Sequence, residues 1–457
     1  MKRRDMFSMI PLVFALPGEM AAQAETVKKQ RLPLNTSFDS PYSMTYVKKV
    51  KKMLKWVRAT QSDKILEAAY TIAETAAKGR KVWSAWDLGH TSTSDIFPGR
   101  NGMPEFITPG YDIEKVKDGD LVLSNGPSPS GYIDDIAKKD LFVIGGPSPY
   151  GGDIKGFENM NEPLQKLKVR PYSDIWIETN VDHIAAQVEI PGSVAPLGPE
   201  SGPLNSTIYW MMMADASRVL SRSGKKMNVI GDEQPLPKNT AWANLNEPLM
   251  GIYFDEVLRQ MTLVGSELGN LKKMAKMAVD TLLSGGMCYF YSRYFESFAS
   301  EAQGRRGGFS FAKGLSDGRL AGTSDDCVIM GIYEPDDEVD LKNLDEFRTR
   351  GMRIASIGPA TRNFKAPEGR AVSKETEVHA GLMMDTCGMF AIPGFNRKVC
   401  PTSGILTTTI LWVMSVEICE EMIRRTNDTP SIYLNGGLKW GPMHNQRMAA
   451  RVRIRGY

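Results

Sequence analysis

Disulfide chemistry is almost missing from this chain of 457 residues, which has five cysteines: Cys288, Cys327, Cys387, Cys400 and Cys419. All lie in the second half and their number is odd, which excludes a disulfide scaffold. No Cys-x-x-Cys or Cys/His spacing of a zinc site occurs, so the thiols read as small buried apolar groups. Charge of one sign is lacking too. The 56 basic and 53 acidic residues leave a net charge of +3, spread without long blocks, which argues against nucleic acid as a partner. Histidine is scarce at four. The acidic run Asp336-Asp337-Glu338 lacks the glycine and distal glutamate of an EF-hand and is not read as a calcium site. No nucleotide or metal cofactor is expected.

What is present begins with an address. Lys2-Arg3-Arg4 precedes an uncharged apolar run from Met6 to Leu16, and Ala22-Gln23-Ala24 offers a small-x-small cleavage site. Residues 1–24 therefore read as a signal peptide, with Arg3-Arg4 followed by Met6-Phe7 resembling a twin-arginine signal; a Sec signal with a chance arginine pair is the other reading. Either way the expected location is periplasmic or secreted, with no stable membrane insertion once the signal is cleaved. Beyond it, 42% hydrophobic residues suffice for two or three domains, and the 26 methionines, clustered at Met211–Met213 and Met383–Met384, suit irregular cores.

One stretch recurs. Ile190–Met212, IPGSVAPLGPESGPLNSTIYWMM, returns 202 residues later at Ile392–Met414 as IPGFNRKVCPTSGILTTTILWVM, with 11 of 23 positions identical. That spacing is too long for a solenoid and fits two copies of a whole domain. We expect domain 1 at 45–222, a linker at 223–261, domain 2 at 262–430 and a C-terminal tail at 431–457.

Within the first copy, helices are expected at Tyr46–Val57 and around Ile65–Ala76, with strands at Lys81–Trp86, Leu121–Ser124, Leu141–Ile144 and Asp174–Glu178. Strands alternating with helices and ending in Gly/Ser loops predict an α/β fold with parallel sheets flanked by helices, once per copy. Ligands of such sheets bind beyond the C-terminal strand ends, where His90, Thr91, Ser92, Ser124, Asn125 and Ser128 would gather. Asn205-Ser206-Thr207 offers N-cap side chains to a buried helix predicted at Ile208–Leu220, either as an anion or hydroxyl site or only as caps.

In the second copy, Leu271–Leu283, Met287–Tyr291, Asp326 with Val328–Met330, and Arg353–Ile357 answer elements of the first, and Gly304-Arg305-Arg306-Gly307 answers Gly99-Arg100-Asn101-Gly102. The loops diverge. Ile332-Tyr333-Glu334-Pro335-Asp336-Asp337 is carboxylate-rich and repels phosphate, so the copies are not expected to share a ligand. Glu296 and Glu301 read as a solvated helix face, His183 and His379 as structural, and His90 as functional.

The order helix, strand, Gly89-His90-Thr91-Ser92 loop, strand, Ser-rich loop, strand, then Gly202-Pro203 through Ser206-Thr207 before a buried helix resembles the SIS (sugar isomerase) family, over roughly 45–222 and 262–430. The resemblance implies flavodoxin-like domains, paired as a pseudo-dimer within one chain like the isomerase half of glucosamine-6-phosphate synthase, and a sugar, phosphosugar or amino sugar as ligand. It also implies Ser201, Asn205, Ser206 and Thr207 as ligand-binding residues. Departures are clear. Pro127 and Pro129 each remove a backbone donor from the phosphate loop. The family's Glu-x-x-His-Gly-Pro signature is shortened to Glu200-Ser201-Gly202-Pro203 without histidine, and the second copy has Thr402-Ser403-Gly404 without an acid. Glu200 as base and His444 reaching in from the tail are the catalytic candidates for an aldose–ketose isomerase; Glu200 as a carboxylate merely facing a helix N-terminus is the alternative. Three functions thus remain: a carbohydrate-binding protein, an isomerase, or a structural or regulatory pseudo-enzyme.

Overall fold

The structure is a computed structural model. It describes residues 41–457 apart from 87–100, 111, 113, 125–137, 147–158, 160–172, 182–185, 232–235, 237–239, 294–297, 304–305, 362–365 and 383–387. It opens on α1 (Pro41–Ala77), a single helix of 37 residues where the sequence predicts two. The join is continuous because Arg58–Lys64 contains neither Gly nor Pro, and Val47, Val50, Leu54, Val57, Ile65, Ala68 and Ile72 are buried along its length.

Six strands follow: β1 (Val82–Ala85), β2 (Met103–Pro104), β3 (Ile107–Pro109), β4 (Leu121–Ser124), β5 (Phe142–Gly145) and β6 (Ile175–Trp176). Then come α2 (Ser201–Arg222) and β7 (Val229–Ile230). Five strands form a parallel sheet in the order β3-β1-β4-β5-β6, the doubly wound order in which the second strand lies outside the first.

The second half repeats this plan. α3 (Leu249–Leu263) and α4 (Leu268–Leu283), joined by a 3₁₀ turn, stand in the place of α1, and α3 falls within the stretch expected as a linker. Next are β8 (Cys288–Ser292), α5 (Phe298–Ala302), β9 (Lys313–Leu315), β10 (Cys327–Gly331), α6 (Glu338–Thr349), β11 (Arg353–Ile357), α7 (Val372–Glu375) and β12 (Val378–Ala380). α8 (Ser403–Thr426) and α9 (Gly441–Arg455) end the chain. The second sheet runs β12-β11-β10-β8-β9, also parallel, which is the first sheet's order read from the other edge. The α/β class with two parallel sheets flanked by helices is therefore the fold of this chain.

Equivalent carboxylates fix equivalent strands. Asp120 accepts from the backbone N–H of Lys81 (3.1 Å) and Lys117 (3.0 Å), and Asp326 from those of Met287 (2.7 Å) and Thr323 (2.7 Å). Likewise Asp174 accepts from Val143 N–H (2.7 Å) and Glu377 from Ile354 N–H (3.2 Å). One apolar core runs through both halves and takes one face of each sheet: Val82, Leu121, Leu123 and Ile144 from the first, Cys288, Phe290, Ile329 and Ala355 from the second. The alternate residues Trp83, Val122 and Val143, and Tyr291, Val328 and Met330, face two smaller outer clusters, as period-two strands require. α8 is the one helix among the described residues long and apolar enough to cross a bilayer, and that apolar stretch is fully buried in this shared core.

The recurring stretch now has a physical form. Ile190-Pro191-Gly192-Ser193 is a type II turn, with Ser193 N–H donating to Ile190 O (2.9 Å) and Gly192 at φ +85°. Ile392-Pro393-Gly394-Phe395 closes in the same way (3.0 Å, Gly394 φ +86°). Each turn caps a short antiparallel hairpin, Val188 with Leu197 and Phe390 with Val399. The helices then begin at Ser201 and Ser403, so Asn205–Thr207 lie inside α2 and Glu200 is its N-cap residue. The prediction of a start at Ile208 read Pro203 as part of a loop. In the first turn, proline's missing N–H is one that the helix leaves unpaired anyway.

Candidate functional site

In a doubly wound sheet the crevice opens where the chain leaves neighbouring strands in opposite directions, here beyond β1 and β4 in the first half and β8 and β10 in the second. In the first half, Trp86 follows β1 directly, and its indole N–H donates to Asn205 O (3.0 Å), tying the strand end to the second turn of α2. Gly146, just beyond β5, lies against the same indole; a Cβ there would meet Trp86 Cη2 at 2.6 Å. Ser124, the last residue of β4, is fully buried, and its carbonyl accepts from Gly146 N–H (2.9 Å).

Glu200 is fully buried at the start of α2, where the positive end of the helix dipole favours a carboxylate. Beside it, the Tyr46 hydroxyl donates to Pro199 O (2.8 Å), and burial together with the charge of Glu200 pushes the Tyr46 pKa well above its ordinary value. Tyr253 makes the matching bond to Pro401 O (2.7 Å) in the second half. There, however, the N-cap is Thr402, whose hydroxyl donates to Gln260 Oε1 (2.8 Å).

The two halves meet through an equivalent pair of bonds. Gly198 N–H donates to Gly307 O (3.0 Å), and Cys400 N–H donates to Gly102 O (3.3 Å). All four residues have positive φ: +77° and +66°, then +65° and +83°. Gly307 and Gly102 thus each brace the chain two residues ahead of the other half's N-cap. Asn101 adds a bond of 3.0 Å from its Nδ2 to Glu334 Oε1 across the same boundary. These crossing loops could be matched in sequence, but their reciprocal contact could not.

The second crevice is closed. α5 sits on the ends of β8 and β10, with Ala299 N–H donating to Ser292 Oγ (3.0 Å), and a Cβ on Gly331 would meet Phe298 Cγ at 2.1 Å. Glu301 is buried rather than solvated and accepts from Trp412 Nε1 (3.3 Å); expecting a solvated face from its spacing to Glu296 ignored that α5 packs between sheet and α8. Behind the plug lies an acidic network. Tyr291 O–H donates to Asp340 Oδ1 (3.0 Å), Asn343 donates to Tyr291 Oη (2.7 Å), and Arg293 pairs with Asp337 (2.6 Å). Burial first, then the Asp337 charge, push the Asp340 pKa up to about 8.

Of the residues singled out from sequence, Ser124, Glu200, Ser201, Asn205, Ser206 and Thr207 are buried around the first crevice and the start of α2. The Thr207 hydroxyl donates to Pro203 O (2.7 Å), and Thr409 repeats that bond to Ile405 O (2.7 Å), so both serve their own helices. His444 lies on α9, where its Nε2 bonds Ile432 O (2.9 Å) and ties the tail down. His379 bonds Ser356 Oγ through Nδ1 (2.8 Å), and burial lowers its pKa to about 4. His90, Thr91, Ser92, Asn125 and Ser128 lie outside the described residues, as does His183. Sequence reasoning passed over Ser84, Trp86, Trp210 and Tyr46; the pairing of Trp210 with Trp412 in the repeat was the one available signal. Among the described residues no group of three or more His, Cys, Asp or Glu side chains is arranged to hold a metal ion.

Fold and site together define two parallel α/β sheets flanked by helices on one shared core, the second crevice being filled by α5. No family model matches the chain, and no curated protein matches its sequence. Among solved structures it is similar to a Salmonella typhimurium protein described as sugar-binding, at 9% identity over 83% of this chain and 99% of that one, with a TM-score of 0.44. It is also similar to a Silicibacter pomeroyi protein described as a phosphosugar isomerase (9% identity, 84% and 99% covered, TM-score 0.41). A third is glucosamine-6-phosphate deaminase of Thermotoga maritima (11% identity, 85% and 96% covered, TM-score 0.37).

Proposed function

We propose that the first half binds a sugar or carbohydrate derivative in the crevice beyond β1 and β4, against the start of α2. The observation that carries this reading is the contrast between equivalent places in the two halves. In the second, Phe298 and Phe290 fill the crevice, Trp412 has Glu301 as acceptor, and Thr402 has Gln260. In the first, Ser84 stands in the register position of Phe290, Glu200 in that of Thr402, and the Trp210 indole N–H and Ser84 hydroxyl are buried with no partner among the described residues. Each such buried group costs about 1–3 kcal/mol until it is paired. A hydroxyl-rich ligand supplies both donors and acceptors. The buried carboxylate at the helix start repels phosphate and attracts an ammonium group, which favours an amino sugar over a phosphosugar.

A thermal-shift screen against neutral sugars, amino sugars and sugar phosphates tests this. A ligand at about 100 times its dissociation constant adds about 2.7 kcal/mol. A shift with an amino sugar that Glu200→Gln reduces supports the reading; no shift with any of the three classes sinks it and favours a structural or regulatory pseudo-enzyme.

A buried carboxylate is also what a proton shuttle between adjacent sugar carbons requires, which favours an aldose–ketose isomerase as the second reading. Exchange of the C2 proton of a bound sugar in deuterated water, lost in Glu200→Gln, distinguishes it; binding without exchange leaves a binding protein. Export belongs to the same proposal and rests on Lys2-Arg3-Arg4, the apolar run and the Ala22-Gln23-Ala24 site. Fusing residues 1–24 to a reporter tests it, and Arg3→Lys/Arg4→Lys separates a twin-arginine route, which the pair of substitutions blocks, from a Sec route, which it spares.

A further inference from the structure

Away from both crevices, the start of α1 carries the strongest concentration of one charge in the chain. From Lys48 to Arg58 there are six basic residues and no acid, in a protein whose net charge is only +3. Lys48, Lys51, Lys52 and Lys55 stand at i, i+3, i+4 and i+7, which places them on one helix face with neighbouring Cβ atoms about 5–6 Å apart. They rim a groove of about 440 Å³ whose floor is Met44 and Val47 and whose far wall is Thr262 of α3. That volume falls within the roughly 300–1,000 Å³ of small-molecule sites.

Two further observations make this more than a solvated helix face. Lys51 is held in place, its Nζ donating to Thr262 Oγ1, and burial together with the Lys55 charge lowers its pKa, so the ammonium groups crowd one another. Among the described residues no carboxylate lines the groove; of the two acids on α3, Glu256 is taken by Arg259 (2.6 Å) and Gln260 (2.6 Å), and exposed Asp255 is not in the groove lining. Lys48, Lys52 and Lys55 have no ion pair among the described residues, whereas Arg348, Arg370 and Arg425 elsewhere are each paired with two carboxylates.

We infer that the groove between α1 and α3 is a second binding site, for a linear polyanion whose successive phosphate or sulfate groups pair with Lys48, Lys51, Lys52 and Lys55. It stands independently of the crevice in the first half.

The test is calorimetric titration of the full chain at low ionic strength with inorganic tripolyphosphate and, in a second arm, a sulfated tetrasaccharide, with orthophosphate for comparison. At least one multivalent probe should bind about tenfold or more tightly than orthophosphate and weaken steeply with salt. Lys48→Glu/Lys52→Glu should weaken it about tenfold or more, and Lys48→Arg/Lys52→Arg should hold it within about threefold, since charge rather than shape is read. Both side chains are exposed, and an unchanged thermal midpoint confirms that the variants fold. The tighter of the two probes identifies the anion as phosphate or sulfate. Undiminished affinity in the glutamate variant, or a wild type that binds neither probe better than orthophosphate, overturns the inference.

Discussion

Replacing Gly307 with alanine tests whether the halves hold each other in place. Gly307 has φ +66°, and its carbonyl accepts the Gly198 N–H two residues ahead of Glu200. A Cβ there would sit 2.9 Å from Ala186 Cβ and 3.3 Å from Pro199 Cδ. The substitution therefore carries two costs. Left-handed backbone costs an L-residue roughly 1–2 kcal/mol, of which about 0.4–1 kcal/mol is returned by the stiffer unfolded chain. Overpacking adds about 1–3 kcal/mol. Gly318 has nearly the same φ, +69°, with nothing within 4 Å of its Cβ position, so Gly318→Ala carries only the first cost. Urea unfolding should show a midpoint shift equivalent to about 2–4 kcal/mol for Gly307→Ala and about 1 kcal/mol or less for Gly318→Ala, at an unchanged slope. Both should unfold in a single transition, because one core runs through both halves. If the two variants agree within about 0.5 kcal/mol, the close approach across the boundary is not the constraint described above.

Asp120→Ala leaves the Lys81 and Lys117 N–H groups and the Trp83 indole N–H (2.9 Å) without their acceptor and should cost about 3 kcal/mol in urea unfolding. Burial raises the Asp120 pKa, but hydrogen bonds from Trp83, Lys117 and Lys81 bring it below the ordinary value. Its stabilisation is thus complete above the unfolded pKa near about 4 and lost as pH falls through the folded value, an acid dependence the alanine variant should lack. Asp340 runs the other way. With a folded pKa of about 8 it holds its proton across a window in which the unfolded chain has lost it, so its contribution falls as pH rises from about 4 to about 8. Asp340→Asn keeps an acceptor for Tyr291 and should flatten that decline and raise the thermal midpoint at pH 8; a lower midpoint there would show that the carboxylate is ionised and needed. Asp215→Ala exposes the first turn of α3, whose Leu249 and Met250 N–H groups it accepts (3.3 and 2.8 Å), and strands buried Arg218. A loss of about 3–5 kcal/mol is expected, recovered in part by Asp215→Ala/Arg218→Met.

The sequence by itself determined the duplication, the α/β class and most of the strands. It could do so because hydrophobic periodicity and turn residues are local: Leu121–Ser124 and Arg353–Ile357 form strands as expected. The continuity of α1 and the start of α2 at Ser201 were misjudged, since a polar gap and a Gly-Pro pair both resemble breaks until packing and first-turn position decide them. Strands as short as Ile107–Pro109 and Val378–Ala380 leave too few residues for a period. Only the tertiary structure decided how the second half's crevice is filled. That Phe298 fills it, that Gln260 answers Thr402, and that Gly307 and Gly102 brace opposite halves are contacts between residues far apart in the chain. Local sequence carries the propensity to form an element, but the partner that satisfies or blocks a side chain is fixed only when the two copies close on one core.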